Sequence, residues 1–300
     1  MRIVVALGGN ALLRRGEPMT AEGQAANVRL AAASLAPLVG AGHQVAITHG
    51  NGPQIGLLAE QNAASPAPFP LDILGAQTDG MIGYLIEREL ATLLPPERLF
   101  ATVLTQIRVL RNDPAFRRPT KPVGPTYDEA TARKLAELNG WSIAPDGRGW
   151  RRVVPSPKPV SILSMRVIEM LVDLDVTVIC GGGGGIPVVE SETGALHGVE
   201  GVIDKDTATA MLALQLGADL LVLLTDVDAV YSGWGTPEAA PIREISVGRI
   251  DPARFPEGSM RPKIEAAMEF VGATGRSAAI GTLSDLAAIV AGRAGTRIAP

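Results

Sequence analysis

Lysine is scarce in this chain, and most of its lysines stand beside glycine, proline or aspartate. Among 27 basic residues the lysines are Lys121, Lys134, Lys158, Lys205 and Lys263. Lysine carries a compact charge on a flexible stem and can follow a moving phosphoryl group, whereas arginine is a rigid planar fork. We interpret Lys134, in a polar helical segment, as a surface residue. The other four are candidates for anion chemistry.

The tripeptide Asp204-Lys205-Asp206 places a cation where a predicted helix begins. Capping and the helix dipole fully explain the two acids. A lysine at this position is unfavourable unless an anion faces it, so Lys205 is the strongest single candidate. Lys263 similarly follows Pro262, which begins another predicted helix. Two such lysines indicate phosphoryl transfer, in which positioning and charge neutralisation supply the catalysis.

Three predicted strands end in glycine-rich loops, at residues 8–10, 50–52 and 181–185. In open α/β sheets, ligands bind at the carboxyl ends of the strands. Glycine lets the backbone approach a ligand closely and point several N–H groups at an anion. A tight turn would account for one such loop equally well, but three of them favour an anion site.

Several motifs of other nucleotide-binding and catalytic sites are missing. The sequence lacks the P-loop pattern GxxxxGK[ST], a GxGxxG after the first strand, the protein-kinase motifs and G-x-S-x-G. His43, His49 and His197 are not spaced as metal ligands, so no protein-held metal is expected. His49 follows a predicted strand, which leaves a packed imidazole and a ligand contact as alternatives.

The hydrophobic pattern predicts the scaffold that must position these residues. Near-continuous apolar strands separated by helices predict a mostly parallel open sheet covered on both faces, a three-layer αβα architecture. The helix over 162–174 has one apolar face, formed by Leu163, Val167, Met170, Leu171 and Leu174. The predicted strands span residues 2–7, 43–49, 101–110, 176–180 and 219–225, and further helices begin near residues 22, 53, 71, 204 and 262.

Residues 111–160 interrupt this pattern with four prolines and a predicted hairpin at Asp146-Gly147. We interpret the segment as an inserted, mobile subdomain. Residues 108–166 contain 12 basic and 5 acidic side chains, so they carry a charge of +7 while the rest of the chain carries −11. A cationic insert on an acidic body suggests anion capture, with a solvated surface flap as the alternative.

Composition excludes several classes of protein. The single Cys180 excludes an internal disulfide and a cysteine-based zinc site. A net charge of −4 argues against a nucleic-acid partner. No apolar run is long enough to span a membrane, and the N-terminus begins as a strand instead of a signal peptide. We therefore expect a soluble cytoplasmic protein.

Read together, eight segments resemble the amino-acid kinase family, and within it the branch that acts on carbamate. In those relatives the position two residues before the first glycine is not the lysine that many other branches carry, and here it is Ala6. The matching segments are ALGGNAL (6–12), THGNGPQIG (48–56), TKPVGPTY (120–127), RRVVPSPKP (151–159), VICGGGGGIPVV (178–189), GVIDKDTA (201–208), LTDVDAVY (224–231) and GSMRPKIEAA (258–267).

The resemblance implies reversible in-line phosphoryl transfer between ATP and carbamate, giving ADP and carbamoyl phosphate, with Mg²⁺. It implies ATP synthesis in arginine fermentation as the physiological role. It also implies a homodimer with no nucleic-acid or membrane partner. Residues 1–180, with a lid at 111–160, would bind carbamate or carbamoyl phosphate, and residues 181–300 would bind the nucleotide.

The resemblance further assigns roles to individual residues. The catalytic residues would be Lys121, Lys205, Lys263 and Asp206, the last orienting a lysine. Phosphate and nucleotide would be bound by Gly8, Gly9, Asn10, Gly182, Gly183, Asp226, Tyr231 and Met260. Gly50, Asn51 and Gly52 would bind the carbamate end.

Two other functions remain open at this point. The chain could be another small-molecule kinase of the same family, for example one that acts on acetylglutamate, although Ala6 and the TKPVGP segment argue against it. It could also be a regulatory nucleotide-binding module without catalysis, although the retained lysines argue against that. A nicotinamide-dependent dehydrogenase is disfavoured because its glycine fingerprint is missing.

Overall fold

Strands and helices alternate along most of the chain. A computed structural model describes residues 1–13, 17, 20–63, 65–256 and 258–300. The strands are β1 (Arg2–Leu7), β2 (Gln44–His49), β3 (Phe100–Val103), β4 (Gln106–Val109), β5 (Lys121–Tyr127), β6 (Ser142–Asp146), β7 (Gly149–Val154), β8 (Pro159–Ile162), β9 (Thr177–Cys180), β10 (Ile186–Glu190), β11 (Leu196–Gly198), β12 (Leu220–Thr225), β13 (Val230–Ser232), β14 (Ala240–Ile242), β15 (Glu244–Ser246), β16 (Ser277–Thr282) and β17 (Thr296–Ala299). The α-helices are α1 (Ala21–Gly40), α2 (Gly52–Ala63), α3 (Leu71–Leu93), α4 (Glu129–Asn139), α5 (Met165–Asp173), α6 (Lys205–Gln215), α7 (Met260–Thr274) and α8 (Leu286–Val290).

The largest sheet has eight strands in the order β15-β17-β16-β12-β1-β2-β9-β3. Its central strand β1 pairs in parallel with both β2 and β12, so that Ala6 stands opposite Thr48 and Leu223. Strand β17 runs antiparallel to β16. The prediction of a mostly parallel sheet is therefore confirmed.

Side chains of β1 alternate between two buried clusters. Ile3, Val5 and Leu7 pack with residues of α1, α3 and α8, whereas Val4 and Ala6 pack with residues of α5, α6 and α7. Because successive side chains of a strand point to opposite faces, helices cover both faces of the sheet. The three-layer αβα architecture is confirmed.

The carboxyl ends of the parallel strands β12, β1, β2 and β9 lie at the same edge of the sheet. The loops that follow them include the glycine-rich segments at 8–10, 50–52 and 181–185. The sheet topology thus brings the three predicted anion-binding loops together, although they are far apart in sequence. In the described part of the chain, no helix combines the length and apolar character needed to cross a membrane.

The segment predicted as an insert, residues 111–160, forms a small layer of its own. Strands β5, β7 and β6 make a three-stranded antiparallel sheet next to α4, and the β6–β7 hairpin pairs Asp146 with Gly149 as predicted. We call residues 111–160 the insert from here on. Its last strand, β8, belongs to a separate sheet ordered β11-β10-β4-β8.

The single strand predicted over 101–110 is wrong, because the chain forms two strands that lie in different sheets. Strand β3 is at the edge of the large sheet, and β4 pairs with β8 and β10. Thr105 lies between them, where its hydroxyl donates to Val103 O and accepts the Gly181 N–H. The hydrophobic pattern does not reveal this change of sheet.

Of the apolar face predicted for the helix over 162–174, only Leu171 packs against the core. Helix α5 buries Ile168 and Val172 instead. The predicted face is largely solvent-exposed, with 42% of Leu163, 53% of Val167, 56% of Met170 and 70% of Leu174 accessible. The periodicity identified an apolar stripe, but most of that stripe faces solvent.

Helix α2 meets the insert backbone to backbone at Gly56. A β-carbon at Gly56 would stand 2.8 Å from Gly124 Cα in β5, whereas one at Gly75 in α3 would meet nothing within 4 Å. Overpacking should make Gly56→Ala lower the free energy of unfolding by about 1–3 kcal/mol. Gly75→Ala should be neutral or stabilising by up to about 1 kcal/mol, because alanine favours the helix. Urea unfolding followed by circular dichroism measures both, and equal stabilities would contradict the close contact.

Candidate active site

Two lysines share one buried carboxylate at the start of α6. Lys205 Nζ donates to Asp206 Oδ1 at 2.6 Å, and Lys263 Nζ donates to Asp206 Oδ2 at 2.7 Å. The three side chains are only 8–12% exposed. Two ammonium groups and one carboxylate leave one excess positive charge in a poorly solvated place. We call these three residues the lysine cluster.

The pKa values of Asp206 and Lys205 reflect a balance between burial and pairing. Burial alone would raise the pKa of Asp206, but the two ammonium groups outweigh it and hold that pKa well below its usual range. Burial lowers the pKa of Lys205, and the carboxylate of Asp206 opposes that effect. Asp206 is therefore ionised at neutral pH and holds both cations side by side.

The insert contributes a third lysine to the same helix start. Asp204 Oδ1 accepts the N–H groups of Asp206 at 3.0 Å and Thr207 at 3.2 Å, which makes it the predicted cap of α6. Its other oxygen accepts Lys121 Nζ at 2.8 Å. The structure thus brings Lys121 to the same helix terminus as the lysine cluster.

The first two glycine loops pack backbone to backbone. A β-carbon at Gly50 would stand 3.0 Å from Gly9 N, and one at Gly8 would stand 3.1 Å from Leu224 O. A β-carbon at either position would be unusually close to its neighbours, so the neighbouring backbone would have to shift to accept one. Asn10 lies in the 3-10 helix Gly9–Ala11 that follows, and its side chain lies outside the described part of the chain.

The third glycine loop is buried against the second loop and against the start of α6. Gly183 has a left-handed φ of 62°, and the side chain of Asn51 occupies the space where its β-carbon would lie. Asn51 Nδ2 donates to Thr78 Oγ1 at 2.9 Å, so one of its amide hydrogens is directed into the protein. Because β9 is next to β2 in the sheet, Gly182 and Gly183 lie beside residues 50–52. Strands β1 and β2 separate them from β12.

The residues predicted to bind the nucleotide follow β12 and begin α7. The Tyr231 hydroxyl donates to Asp228 Oδ1 at 2.8 Å. The Tyr231 ring packs edge-on against the Trp234 ring, with 5.3 Å between the ring centroids. Met260 is the first residue of α7, one turn before Lys263. The same short helical turn therefore connects the predicted nucleotide contact to the lysine cluster.

Asp226 lies in a cleft next to the first glycine loop, residues 8–10. It lines a cleft of about 640 Å³ together with Gly8, Thr225, Ser34 and Ser284. This places Asp226 beside the Gly8 backbone, as expected from the pairing of β12 with β1.

Several polar residues of the site were missed by the sequence analysis. Thr48 at the end of β2 and Thr209 in α6 share a buried hydrogen bond of 2.7 Å. Asp79 in α3 is 4% exposed and lies behind Gly182 next to His49. The available signal was weak, since Thr78 and Asp79 are two polar residues within a long apolar helix.

The described residues of the site provide no set of side chains suited to bind a metal ion. Among the described residues, no group of three or more histidine, cysteine, aspartate or glutamate side chains could hold one. Both carboxylate oxygens of Asp206 already accept lysine hydrogens. The excess positive charge of the lysine cluster would attract an anion.

Replacement of Asp206 tests whether the shared carboxylate holds the cluster together. Asp206→Asn should lower the free energy of unfolding at pH 7 by about 3–5 kcal/mol, because it leaves buried ammonium groups uncompensated. The folded-state pKa of Asp206 is lowered, so its stabilisation is present above the unfolded value of about 3.9 and is lost as pH falls towards the folded value. The difference from wild type should therefore shrink below about pH 4.

The matched control is Asp146→Asn, which removes an exposed carboxylate paired with Arg151. It should change the free energy of unfolding by no more than about 1 kcal/mol. Urea unfolding at pH 3 to 7 provides both values. Equal losses from the two variants would contradict a special role for Asp206.

Known proteins resemble this chain along its whole length. A sequence profile of the amino acid kinase family matches residues 1–282. A carbamate kinase of Rhizobium meliloti (strain 1021) is 53% identical over 99% of this chain and 93% of its own length, and one of Pyrococcus horikoshii is 43% identical over 100% and 99%. The structure of a Giardia lamblia carbamate kinase bound to AMP-PNP superposes with a TM-score of 0.91 at 39% identity, covering 99% of this chain and 98% of the other. The chain belongs to the amino acid kinase family.

Proposed function

We propose that this chain catalyses reversible phosphoryl transfer between ATP and carbamate, giving ADP and carbamoyl phosphate. The observation that carries the proposal is the lysine cluster at the carboxyl edge of the sheet, beside three glycine loops. The relatives from Rhizobium meliloti and Pyrococcus horikoshii, which match over nearly the full length, are carbamate kinases.

Charge is the main obstacle that this reaction presents. ADP and carbamoyl phosphate are both anions, and their reacting atoms must approach to about 3–3.5 Å. Lys205 and Lys263 would neutralise the phosphate oxygens, with Asp206 holding both ammonium groups in place. Backbone N–H groups of Gly8, Gly9 and the following Asn10 would add aligned dipoles.

Transfer would be direct and in line, without a phosphorylated enzyme. The attacking oxygen belongs to carbamate in one direction and to the terminal phosphate of ADP in the other. Both oxygens are already ionised, so no general base is needed. The protein's contribution would be to position the two substrates and to stabilise the charge spread over the transferred group.

Lys121 would reach the transferred group from the insert. Its ammonium group is held by Asp204 at the start of α6, where the lysine cluster also lies. The Lys121 side chain is 38% exposed, so it can exchange the carboxylate for a phosphate oxygen. The positive charge of the insert would then serve anion capture.

We assign the acceptor and nucleotide halves of the site along the sheet. Gly50, Asn51 and Gly52 would bind the carbamate end of the substrate. Gly182 and Gly183, next to them, would bind phosphate. Residues 1–180 would form the lobe that binds the carbamate substrate, with the insert as its lid. In the lobe at residues 181–300, the nucleotide would contact Asp226, Tyr231 and Met260.

Mg²⁺ would enter with the nucleotide as part of the substrate, coordinated by phosphate oxygens, since both oxygens of Asp206 are occupied by lysines. Carbamoyl phosphate is a mixed anhydride, and this favours net ATP formation. Arginine fermentation, which releases carbamoyl phosphate, stays our prediction for the physiological role. We place the reaction in the cytoplasm, which suits the single buried thiol of Cys180.

Formation of ATP from ADP, Mg²⁺ and carbamoyl phosphate tests the proposed function. Acetyl phosphate serves as the control donor, because it has a methyl group where carbamoyl phosphate has an amino group. We expect fast turnover with carbamoyl phosphate and little with acetyl phosphate. A folded protein that binds ADP but forms no ATP from carbamoyl phosphate would refute the proposal.

A homodimer is supported by apolar side chains that flank the edge strand β3. Ile73, Met81 and Tyr84 on α3 are 38–59% exposed, and Leu104 after β3 is 51% exposed. Sedimentation analysis should give twice the 31.2 kDa mass of the chain. Charges at Met81→Glu and Tyr84→Glu should shift the protein towards monomer. A monomer in the unmodified protein would contradict this assembly.

The kinetic role of Lys205 can be measured against a surface lysine. Lys205→Met should lower kcat by about 10²–10³-fold, the range seen when one preorganised stabilising donor is lost. Lys134→Met, in the exposed helix α4, should keep wild-type kcat. Steady-state ATP formation, with thermal unfolding to verify folding, provides the comparison. A folded Lys205→Met protein with near-normal kcat would remove Lys205 from catalysis.

A further inference from the structure

A cavity of about 760 Å³ separates the insert from the rest of the chain. Residues between 59 and 74 and between 189 and 200 form one side of it, and residues between 111 and 155 form the other. Neither the lysine cluster nor any of the three glycine loops lines it. Its volume is within the range of about 300–1,000 Å³ that is typical of small-molecule sites. We call this cavity the insert cleft.

The walls of the insert cleft are largely apolar and carry three aromatic rings. These rings belong to Phe69 before α3, Phe116 in the insert and Trp141 before β6. Leu71 and Leu74, in the first turn of α3, add aliphatic surface. Phe69 is 59% exposed, so a ligand in the cleft could remove apolar surface from water. The walls therefore suit a molecule with an aromatic body.

The charged side chains that line the insert cleft leave one excess positive charge. They are Arg111, Arg152 and Glu200. Arg152 Nη2 donates to Glu200 Oε2 at 3.2 Å, and its guanidinium lies 4.9 Å from the centroid of the Trp141 ring. In the part of the chain that the structure describes, the Arg111 side chain has no hydrogen bond or ion pair. Arg111 is therefore the cation that remains available to a ligand.

We propose that the insert cleft binds an aromatic monocarboxylate, with its carboxylate on Arg111 and its ring among Phe69, Phe116 and Trp141. One negative charge equals the excess charge of the lining. The planar guanidinium fork matches a carboxylate with two parallel hydrogen bonds. A phosphate monoester would bring a charge of about −1.5 to −2 and exceed what the cleft compensates.

Two elements connect the insert cleft to the lysines of the active site. Lys121 in β5 stands opposite Val154 in β7, and Val154 lines the cleft. Helix α2 begins at Gly52 in the second glycine loop, and Asn62 in its last turn lines the cleft. An occupant of the cleft would therefore contact both the insert and the helix that follows the substrate loop.

This arrangement gives the ligand an inhibitory role. Lys121 is bonded to Asp204 in this structure and would have to exchange that carboxylate for a phosphate oxygen during the reaction. A molecule that bridges the insert and the rest of the chain would restrain the insert and oppose that exchange. The inhibitory role rests on the proposed function, whereas binding in the cleft does not.

Calorimetric titration of the intact protein with 1-naphthoate tests the binding. We expect one naphthoate per chain, with the same affinity in the absence and presence of saturating ADP and Mg²⁺. The neutral analogue 1-naphthamide should bind about 10-fold more weakly, because it lacks the charge that pairs with Arg111. Absence of binding, or displacement of naphthoate by ADP, would overturn the proposal.

Three variants identify the binding place. Arg111→Gln should weaken naphthoate about 10-fold and leave naphthamide unchanged. Arg148→Gln is the matched control, since it removes an exposed arginine of the same insert that does not line the cleft. Phe69→Ser should weaken both probes about 5-fold through lost apolar contact. The backbone bonds of residue 69 to Asn62 do not depend on its side chain. Equal losses in Arg111→Gln and Arg148→Gln would reduce the effect to general attraction and overturn the assignment.

Hydrogen exchange and kinetics test the bridging. Naphthoate should slow amide exchange in β5 and β7 of the unmodified protein. It should also raise KM for carbamoyl phosphate, and Arg111→Gln should need about 10-fold more naphthoate for the same rise. Unchanged KM at saturating naphthoate would refute the inhibitory role. If the unmodified protein forms no ATP, the proposed function fails, and titration and exchange still decide whether the insert cleft binds the probe.

Discussion

One carboxylate with a lysine on each oxygen is the interaction on which this site depends. Two ammonium groups next to each other repel, and burial disfavours each of them further. Asp206 offsets both effects and leaves one excess positive charge where α6 and α7 begin. The charge is fixed before any substrate arrives, so the protein need not reorganise when an anion binds.

The rest of the fold arranges groups around that charge. The parallel sheet aligns the carboxyl ends of β12, β1, β2 and β9. Glycines let the loops approach neighbouring backbone so closely that a β-carbon at Gly8 or Gly50 would stand 3.0–3.1 Å from it. The insert approaches from outside the sheet and adds Lys121 through Asp204, the residue that also caps α6. The start of α6 therefore connects the lysine cluster with the insert.

Sequence predicted the parts of this site that depend on local rules. The bounds of β1 and α3 followed from hydrophobic pattern, and Lys205 stood out because a cation opposes the helix dipole. The pairing of Asp206 with both lysines was not predictable from spacing. Capping alone explained an aspartate at this position, and Lys263 is 57 residues away. Asp79 was missed because a polar residue in a helix normally indicates a solvent-facing position. Most of the apolar face predicted over residues 162–174 is exposed, because periodicity reveals an apolar face without showing what covers it.

A crystal structure with ADP, Mg²⁺ and a non-transferable analogue of carbamoyl phosphate tests the central claim most directly. We expect Lys205 Nζ and Lys263 Nζ to lie within about 3 Å of phosphoryl oxygens, each still hydrogen-bonded to Asp206. The analogue should lie against the loops at residues 8–10 and 50–52. A phosphoryl group bound elsewhere, with both lysines contacting only Asp206, would contradict the account.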